Sequence, residues 1–226
     1  MQRTEIVIPG NPGIALARIA PALFEWLGPD GYVLGGGTVL AARWQHRVST
    51  DIDLFTDLDR YQEAIVGQRE KVASRLRSLV ANAGEGSVEV ERGWLRVRFA
   101  EAPAALMTIP RPTIREPYTE WVRGAGVPTE STAEILARKV QSRILDFGAF
   151  TARDLYDLLV AREQDPEALR RVLASVTAEE RSAIASELRG LQRNWTGDEP
   201  IHEPAQPELL RGLSRRAQAL FEAPPP

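Results

Sequence analysis

Three consecutive glycines, Gly35-Gly36-Gly37, stand between a short apolar run, Tyr32-Val33-Leu34, and residues 38–44, whose apolar spacing suits a helix. Inside a regular element such a triplet is costly, since glycine weakens a helix or strand by roughly 0.5–1 kcal/mol relative to alanine. A strand-to-helix turn uses it well. The backbone can approach another group closely there, and the free N–H groups of the new helix point at the same place. After a polar link, residues 45–50, comes Asp51-Ile52-Asp53-Leu54-Phe55, which alternates acid and apolar residues with the period of a half-buried strand. The pattern predicts that Ile52 and Leu54 face a core while Asp51 and Asp53 project together from the other face. Two like charges side by side repel unless a cation sits between them. A hard ion such as Mg²⁺ (or Mn²⁺) takes oxygen ligands, commonly one or two carboxylates plus substrate phosphates. A turn suited to phosphate and an acid pair suited to metal together supply what phosphoryl transfer requires, positioning and charge neutralisation. Taken singly each has a plainer reading, a solvated strand face and an ordinary turn.

The rest of the chain divides by pattern. Prolines and glycines at 9–13 break the N-terminal segment, and residues 14–27 read as an amphipathic helix. Residues 61–83 form a helix candidate with a basic run (Arg69, Lys71, Arg75, Arg77). Residues 87–91 and 94–99 alternate around Arg92-Gly93 as a hairpin, and residues 105–109 suit a further strand. The segment 110–128, rich in proline and glycine, is expected to connect two halves. From 129 onward the pattern is helical. Ser131-Thr132-Ala133-Glu134 offers a capped start to a helix over 135–147 with Ile135, Leu136, Val140, Ile144 and Leu145 as its stripe. Thr151 caps the next helix, with Asp154 closing a capping box and Leu155, Leu158, Leu159 and Val160 as the buried face. Helices over 167–175, 177–191 and 207–221 follow. The expected architecture is an α/β half, residues 1–128, followed by a helical half, residues 129–226.

Composition excludes several functions. With no cysteine and two histidines, His46 and His202, thiolate zinc sites, disulfides and cysteine nucleophiles are ruled out, and zinc catalysis has too few nitrogen ligands. The formal net charge of −3 gives no global pull toward nucleic acid, so an RNA partner requires a local basic surface, for which Arg92, Arg96 and Arg98 on the hairpin and the run from Arg69 to Arg77 are candidates. Residues 1–20 lack a basic region followed by a long apolar core, and no apolar stretch approaches the ~20 residues that cross a bilayer. A cytoplasmic protein with no membrane partner is expected.

The runs Gly36-Gly37-Thr38-Val39-Leu40-Ala41 and His46-Arg47-Val48-Ser49-Thr50-Asp51-Ile52-Asp53-Leu54-Phe55 resemble the signature of the AbiEii/AbiGii-type nucleotidyltransferase toxins. These belong to the polymerase-β-like nucleotidyltransferase superfamily, with the MenT toxins as relatives. Lys139, Arg143, Arg153-Asp154-Leu155 and Asp157-Leu158 are similar to the family's later lysine and Arg-Asp motifs, so the resemblance spans residues 32–159. It implies an α+β fold: a nucleotidyltransferase domain with a mixed sheet flanked by helices, then a C-terminal helical domain completing the active-site cleft. It implies triphosphate binding at Gly36, Gly37 and Thr38, with Ser49 beside them or, like Arg47, holding the loop ahead of the acid strand. Asp51 and Asp53 become the metal ligands. Lys139 meets nucleotide phosphate, and Asp154 is a further essential carboxylate. Lys139 and Arg143, four apart, share a helix face and suit the triphosphate's charge, unless they form a solvated stripe. Asp154 and Asp157, three apart, share another, so Asp154 is placed to orient Lys139 or Arg143, to act as base toward the acceptor, or simply to cap its helix.

A third carboxylate, often present in the superfamily on a later strand, is missing from 105–109, where Thr108 stands in its place; Glu89 and Glu91 are possible substitutes. The leading expectation is an enzyme that joins an NMP from an NTP to an RNA, particularly tRNA, and releases pyrophosphate. The resemblance adds growth arrest as the outcome and a cognate antitoxin as antagonist. Two alternatives stay open. One is the same chemistry on a protein or a small molecule such as an aminoglycoside, with Asp57, Asp59 and Glu63 as an acidic pocket. The other is a catalytically inactive nucleotide-binding module.

Overall fold

The computed structural model describes residues 4–109, 114, 116–191, 195 and 200–223. The chain divides into two compact units: residues 1–43, 49–112 and 117–130 form the first, and 44–48, 113–116 and 131–226 the second.

The first unit contains β1 (Thr4–Ile6), α1 (Gly10–Leu27), β2 (Val33–Leu34), α2 (Gly36–Trp44), β3 (Ile52–Asp57), α3 (Leu58–Ala64), a 3₁₀ turn (Val66–Gln68), α4 (Arg69–Ala81), β4 (Ser87–Val90), β5 (Trp94–Arg98), β6 (Pro103–Ile109) and β7 (Glu120–Val122). Five strands make a mixed sheet in the order β2-β3-β6-β5-β4, with β3 and β6 parallel and the other pairs antiparallel. Register fixes what each face carries. The row Leu54–Leu106–Leu95–Val90 and the row Ile52–Ala104–Val97 lie on one face, and every one of these residues is buried. Helices α1 and α4 cover that face with Leu16, Ile19, Leu23, Val72 and Leu76. Truncating a buried leucine in such a layer costs about 2–5 kcal/mol. The opposite face carries Asp53, Ala105, Arg96 and Glu89 in one row and Phe55, Met107 and Trp94 in the next. The acid–apolar alternation in β3 is thus the sheet's own inside–outside code.

Several boundaries differ from the expected ones. Helix α1 starts at Gly10, earlier than residue 14, because Pro12 sits in the first turn, where a helix has no use for its N–H. The helix expected over 61–83 is split at Val66–Gln68: Asp57 Oδ1 accepts from Arg60 N at 2.8 Å and starts α3 earlier, and Gly67 gives the break. Within the connection expected over 110–128, residues 120–122 form β7, which pairs in parallel with β1; residues 110–113 and 115 lie outside those described. Asp51 precedes β3 instead of lying on it.

The second unit holds α5 (Thr132–Arg138), a π-helical segment (Lys139–Asp146), α6 (Ala152–Gln164), α7 (Pro166–Ala174), α8 (Ala178–Gly190), a 3₁₀ turn (Pro207–Leu210) and α9 (Leu213–Glu222). Ser131 caps α5 through Glu134 N as expected, but after Arg138 the helix widens to π geometry in place of continuing as α to 147. The helix expected over 207–221 is interrupted at Gly212, whose φ of 67° no helix continues through. Helix α6 is buried almost all round, from Ala152 to Ala161, and packs against α7 and α9. Among the described residues, no helix is long and apolar enough to cross a membrane.

Candidate functional site

In the first unit the glycine turn lies against the acid strand. Gly35 N donates to Asp53 O at 2.9 Å, and Gly36 adopts φ +67°. A Cβ built on Gly36 lies 2.5 Å from Asp53 Oδ2 and 3.0 Å from Asp53 Cβ, so any side chain there collides with the carboxylate. Both properties, left-handed backbone and missing bulk, select glycine. Helix α2 begins at this point, and its first-turn N–H groups have no partners within the helix. On that turn Thr38, buried, donates its hydroxyl proton to Asp51 O at 2.5 Å. Ser49 Oγ lies 2.6 Å from Thr38 Oγ1 and also faces Asp51 Oδ1 at 3.4 Å. Thr38 and Ser49 therefore fasten the approach to Asp51. The structure brings Gly36, Thr38, Ser49, Asp51 and Asp53 together, with Gly37 between the first two. Asp51 and Asp53 are both half-buried.

The missing acid has a geometric answer. Thr108 pairs with Thr56 and lies on the face opposite Asp53; the neighbours of the acid strand on its own face are Ala105, in register with Asp53, and Met107. Glu89 shares Asp53's row but stands three strand intervals away, ~14 Å at the usual spacing. It cannot share an ion with Asp53. A different acid does approach the turn. Glu130, 2% exposed, presses Oε2 onto the position a Gly35 side chain requires. It is held by its own N–H on Leu34 O and by Arg43 Nη2 on its carbonyl at 2.7 Å, while Arg43 also grips Glu120 at 2.8 Å. Nothing in the local sequence signals this approach, which depends on residues 128–130 running beside β2 through the Leu34–Thr129 bridge. Among the described residues no three His, Asp or Glu side chains converge as a metal cage. The donor set is two carboxylates with oxygen chemistry only, which fits a magnesium-like ion completing its shell from substrate and water. Asp57 is committed to capping α3 and lies 3.6 Å from Arg60, which leaves little of the acidic pocket expected with Asp59 and Glu63.

In the second unit Lys139, Arg143 and Asp154 also come together. Lys139 Nζ lies 2.5 Å from Asp154 Oδ1 and 3.0 Å from Asp157 Oδ2. Arg143 Nη1 reaches Asp154 Oδ2 at 3.1 Å. The Asp154 carboxylate thus goes to these two cations, where the expected capping box would have turned it back to Thr151; only the threonine half is present, accepting from Asp154 N at 3.1 Å. Asp157 collects more. Arg47 forks onto it through Nε at 2.8 Å and Nη2 at 3.0 Å, and His46 Nε2 donates at 2.7 Å. His46 stacks on Tyr156 with ring centroids 5.6 Å apart, and its Nδ1 is buried without a partner. Burial would raise the Asp157 carboxyl, but Lys139 and Arg47, with the bonds from His46 and Arg47, hold it well below the usual carboxylate range. Burial opposes ionisation of Asp154 likewise, and Lys139 and Arg143 override it. Lys139 is buried, whereas the Arg143 side chain is 44% exposed. Sequence reasoning placed Asp157 on the right face but missed it as the hub, since its partners lie about 110 positions upstream.

A model of the family described as nucleotidyl transferase AbiEii toxin, type IV toxin–antitoxin system, matches residues 25–223. Among solved structures, JHP933 from Helicobacter pylori is similar over 94% of this chain and 91% of its own, with 17% identity and a TM-score of 0.54. A second H. pylori protein, provisionally classed as a nucleotidyltransferase, is similar over 92% of this chain and 94% of its own, with 15% identity and a TM-score of 0.50. At these identities the two likenesses speak for the fold alone. No protein of curated function matches the sequence significantly.

Proposed function

The chain belongs to the AbiEii family of nucleotidyltransferase toxins, and from that premise we propose that it transfers an NMP from an NTP to a hydroxyl of an RNA, tRNA in particular, and releases pyrophosphate. The observation that carries the reading is the seat of Gly36 against Asp53, where the missing Cβ lets the glycine turn lie directly against the acid. In this reading the triphosphate lies along the glycine turn, where backbone N–H groups at the start of α2 complement its charge. Asp51 and Asp53 hold a divalent cation, Mg²⁺ or Mn²⁺, which when bound neutralises phosphate charge and polarises the phosphoryl oxygens. Thr38 sets the direction of Asp51 through its backbone, and Ser49 through its carboxylate. Lys139 and Arg143 supply positive charge for phosphate, and Asp154 orients both. The acceptor oxygen attacks the α-phosphorus, the bond to the β-phosphate oxygen breaks, and pyrophosphate leaves. Membership of a toxin–antitoxin family implies a cognate antitoxin as the protein partner.

The test offers each labelled NTP to the chain with total RNA, total protein and an aminoglycoside, with and without Mg²⁺. Label in RNA, only with the metal and absent from the Asp53→Ala variant, is the expected result. Label in protein or drug, or transfer that survives a chelator, overturns the acceptor or the metal assignment respectively.

A further inference from the structure

The sheet face that carries Asp53 also carries a strip with no part in nucleotide or metal binding. Strand β5 alternates Trp94, Arg96 and Arg98 outward with Leu95 and Val97, both fully buried, inward. Register places Arg96 in the Asp53 row with only Ala105 between them, about 10 Å away over two strand intervals. Trp94 stands in the next row beside Met107 and Phe55. The Arg96 guanidinium lies over the Trp94 ring, 5.3 Å from its centroid. Among the described residues, Arg92, Arg96 and Arg98 form no ion pair, although Glu89 faces Arg96 across the hairpin. A chain of net charge −3 thus keeps three arginines outside any ion pair around a half-exposed tryptophan.

We propose that Trp94, Arg96 and Arg98 form the binding ledge for a single-stranded segment of the RNA acceptor, a base stacking at Trp94 and backbone phosphates meeting the two arginines. Sites for single-stranded nucleic acid combine aromatic faces with cations that track the backbone, and this strip has both. The spacing decides between acceptor and NTP. All the phosphates of a mononucleotide are placed at the glycine turn in the reading above, so cations about 10 Å along the same face meet further phosphate only if the acceptor brings it. Ala105 leaves a low floor between Asp53 and Arg96 across which that strand would reach the acid pair. The basic run on α4 has no share in this. Val72 and Leu76 seat α4 on the apolar face of the sheet, opposite Asp53.

The inference rests on the RNA-acceptor reading, and its test reads binding directly so that the two can fail separately. Fluorescence anisotropy of a labelled RNA hairpin with a single-stranded 3′ end is titrated with the full chain, without NTP, across a salt series. Trp94→Ala is expected to weaken binding about tenfold, with Trp94→Phe restoring most of it. Arg96→Ala with Arg98→Ala is expected to weaken binding and flatten the salt dependence by about 1.4 in log–log slope, two single-strand phosphates' worth. Arg75→Ala with Arg77→Ala on α4 should leave both quantities unchanged, and circular dichroism confirms that each variant is folded. Equal affinity for wild type and the β5 variants, an equal loss in the α4 variant, or no RNA binding by the wild type overturns the ledge. If the ledge variants lose RNA while labelled NMP goes to protein, the ledge stands and the acceptor reading falls.

Discussion

The molecule contains two aspartate pairs whose surroundings are opposite. Asp51 and Asp53, beside a glycine turn, are half-buried, and the Asp53 carboxylate packs where a Gly36 Cβ would stand. Asp154 and Asp157 are fully buried, and their charge is answered from within the chain by Lys139, Arg143, Arg47 and His46. An acid pair fully buried among the chain's own cations is built into the core, whereas one left half-buried beside a turn still meets solvent. Removing the first should cost chemistry alone, and removing the second should cost the fold as well.

The largest expected effect is on the half-buried pair. Asp53→Ala or Asp51→Ala should lower nucleotidyl transfer by roughly a thousandfold or more, several kcal/mol of lost charge stabilisation. Urea unfolding should move by less than about 1 kcal/mol, within the ordinary range for a substitution of a partly exposed group. A large loss of stability in these variants would erase the contrast. Next, Asp157→Ala strands Lys139 and Arg47 in a buried site, and its unfolding free energy should fall by about 3–5 kcal/mol. Acid titration sharpens the same point. Asp154 and Asp157 have folded-state pKa values below those of the unfolded chain, so the native state binds fewer protons. Their contribution is complete above the ordinary carboxylate range, about pH 4, and disappears as pH falls through the depressed values. Tryptophan fluorescence should therefore report a steep acid transition in the wild type and a shallower one in Asp157→Asn. Gly36→Ala comes third. It should cost about 1–2 kcal/mol through the left-handed backbone, while transfer falls further because the new methyl displaces Asp53. Smallest is Thr38→Val, expected to cost about 1 kcal/mol for the lost hydroxyl bonds, with transfer reduced in proportion to the freedom gained by Asp51.

What was legible in the sequence followed from period and local chemistry. The half-buried β3, the 87–99 hairpin, the caps at Ser131 and Thr151 and the juxtaposition of glycine turn with acid strand all depend on residues close in the chain. What was not legible depends on pairing at a distance. The face carried by Thr108 needed the β3–β6 register. The approach of Glu130 to Gly35 needed the bridge at Leu34. Asp157 shows the limit most clearly: its helix face followed from a spacing of three, but its partners His46 and Arg47 belong to a segment that reads as a polar link. The widening at Lys139 had no signal either, because residues 135–147 keep a helical stripe in which Val140 and Ile144 are still buried under π geometry.

The crowding at Gly36 also has a genetic consequence. Every missense change at that codon installs a Cβ against the Asp53 carboxylate, whatever the rest of the side chain. In a screen for cells that outgrow expression of this toxin, codon 36 should therefore yield survivors from the whole range of replacements, conservative ones included. Exposed positions of α8 and α9 should contribute almost none.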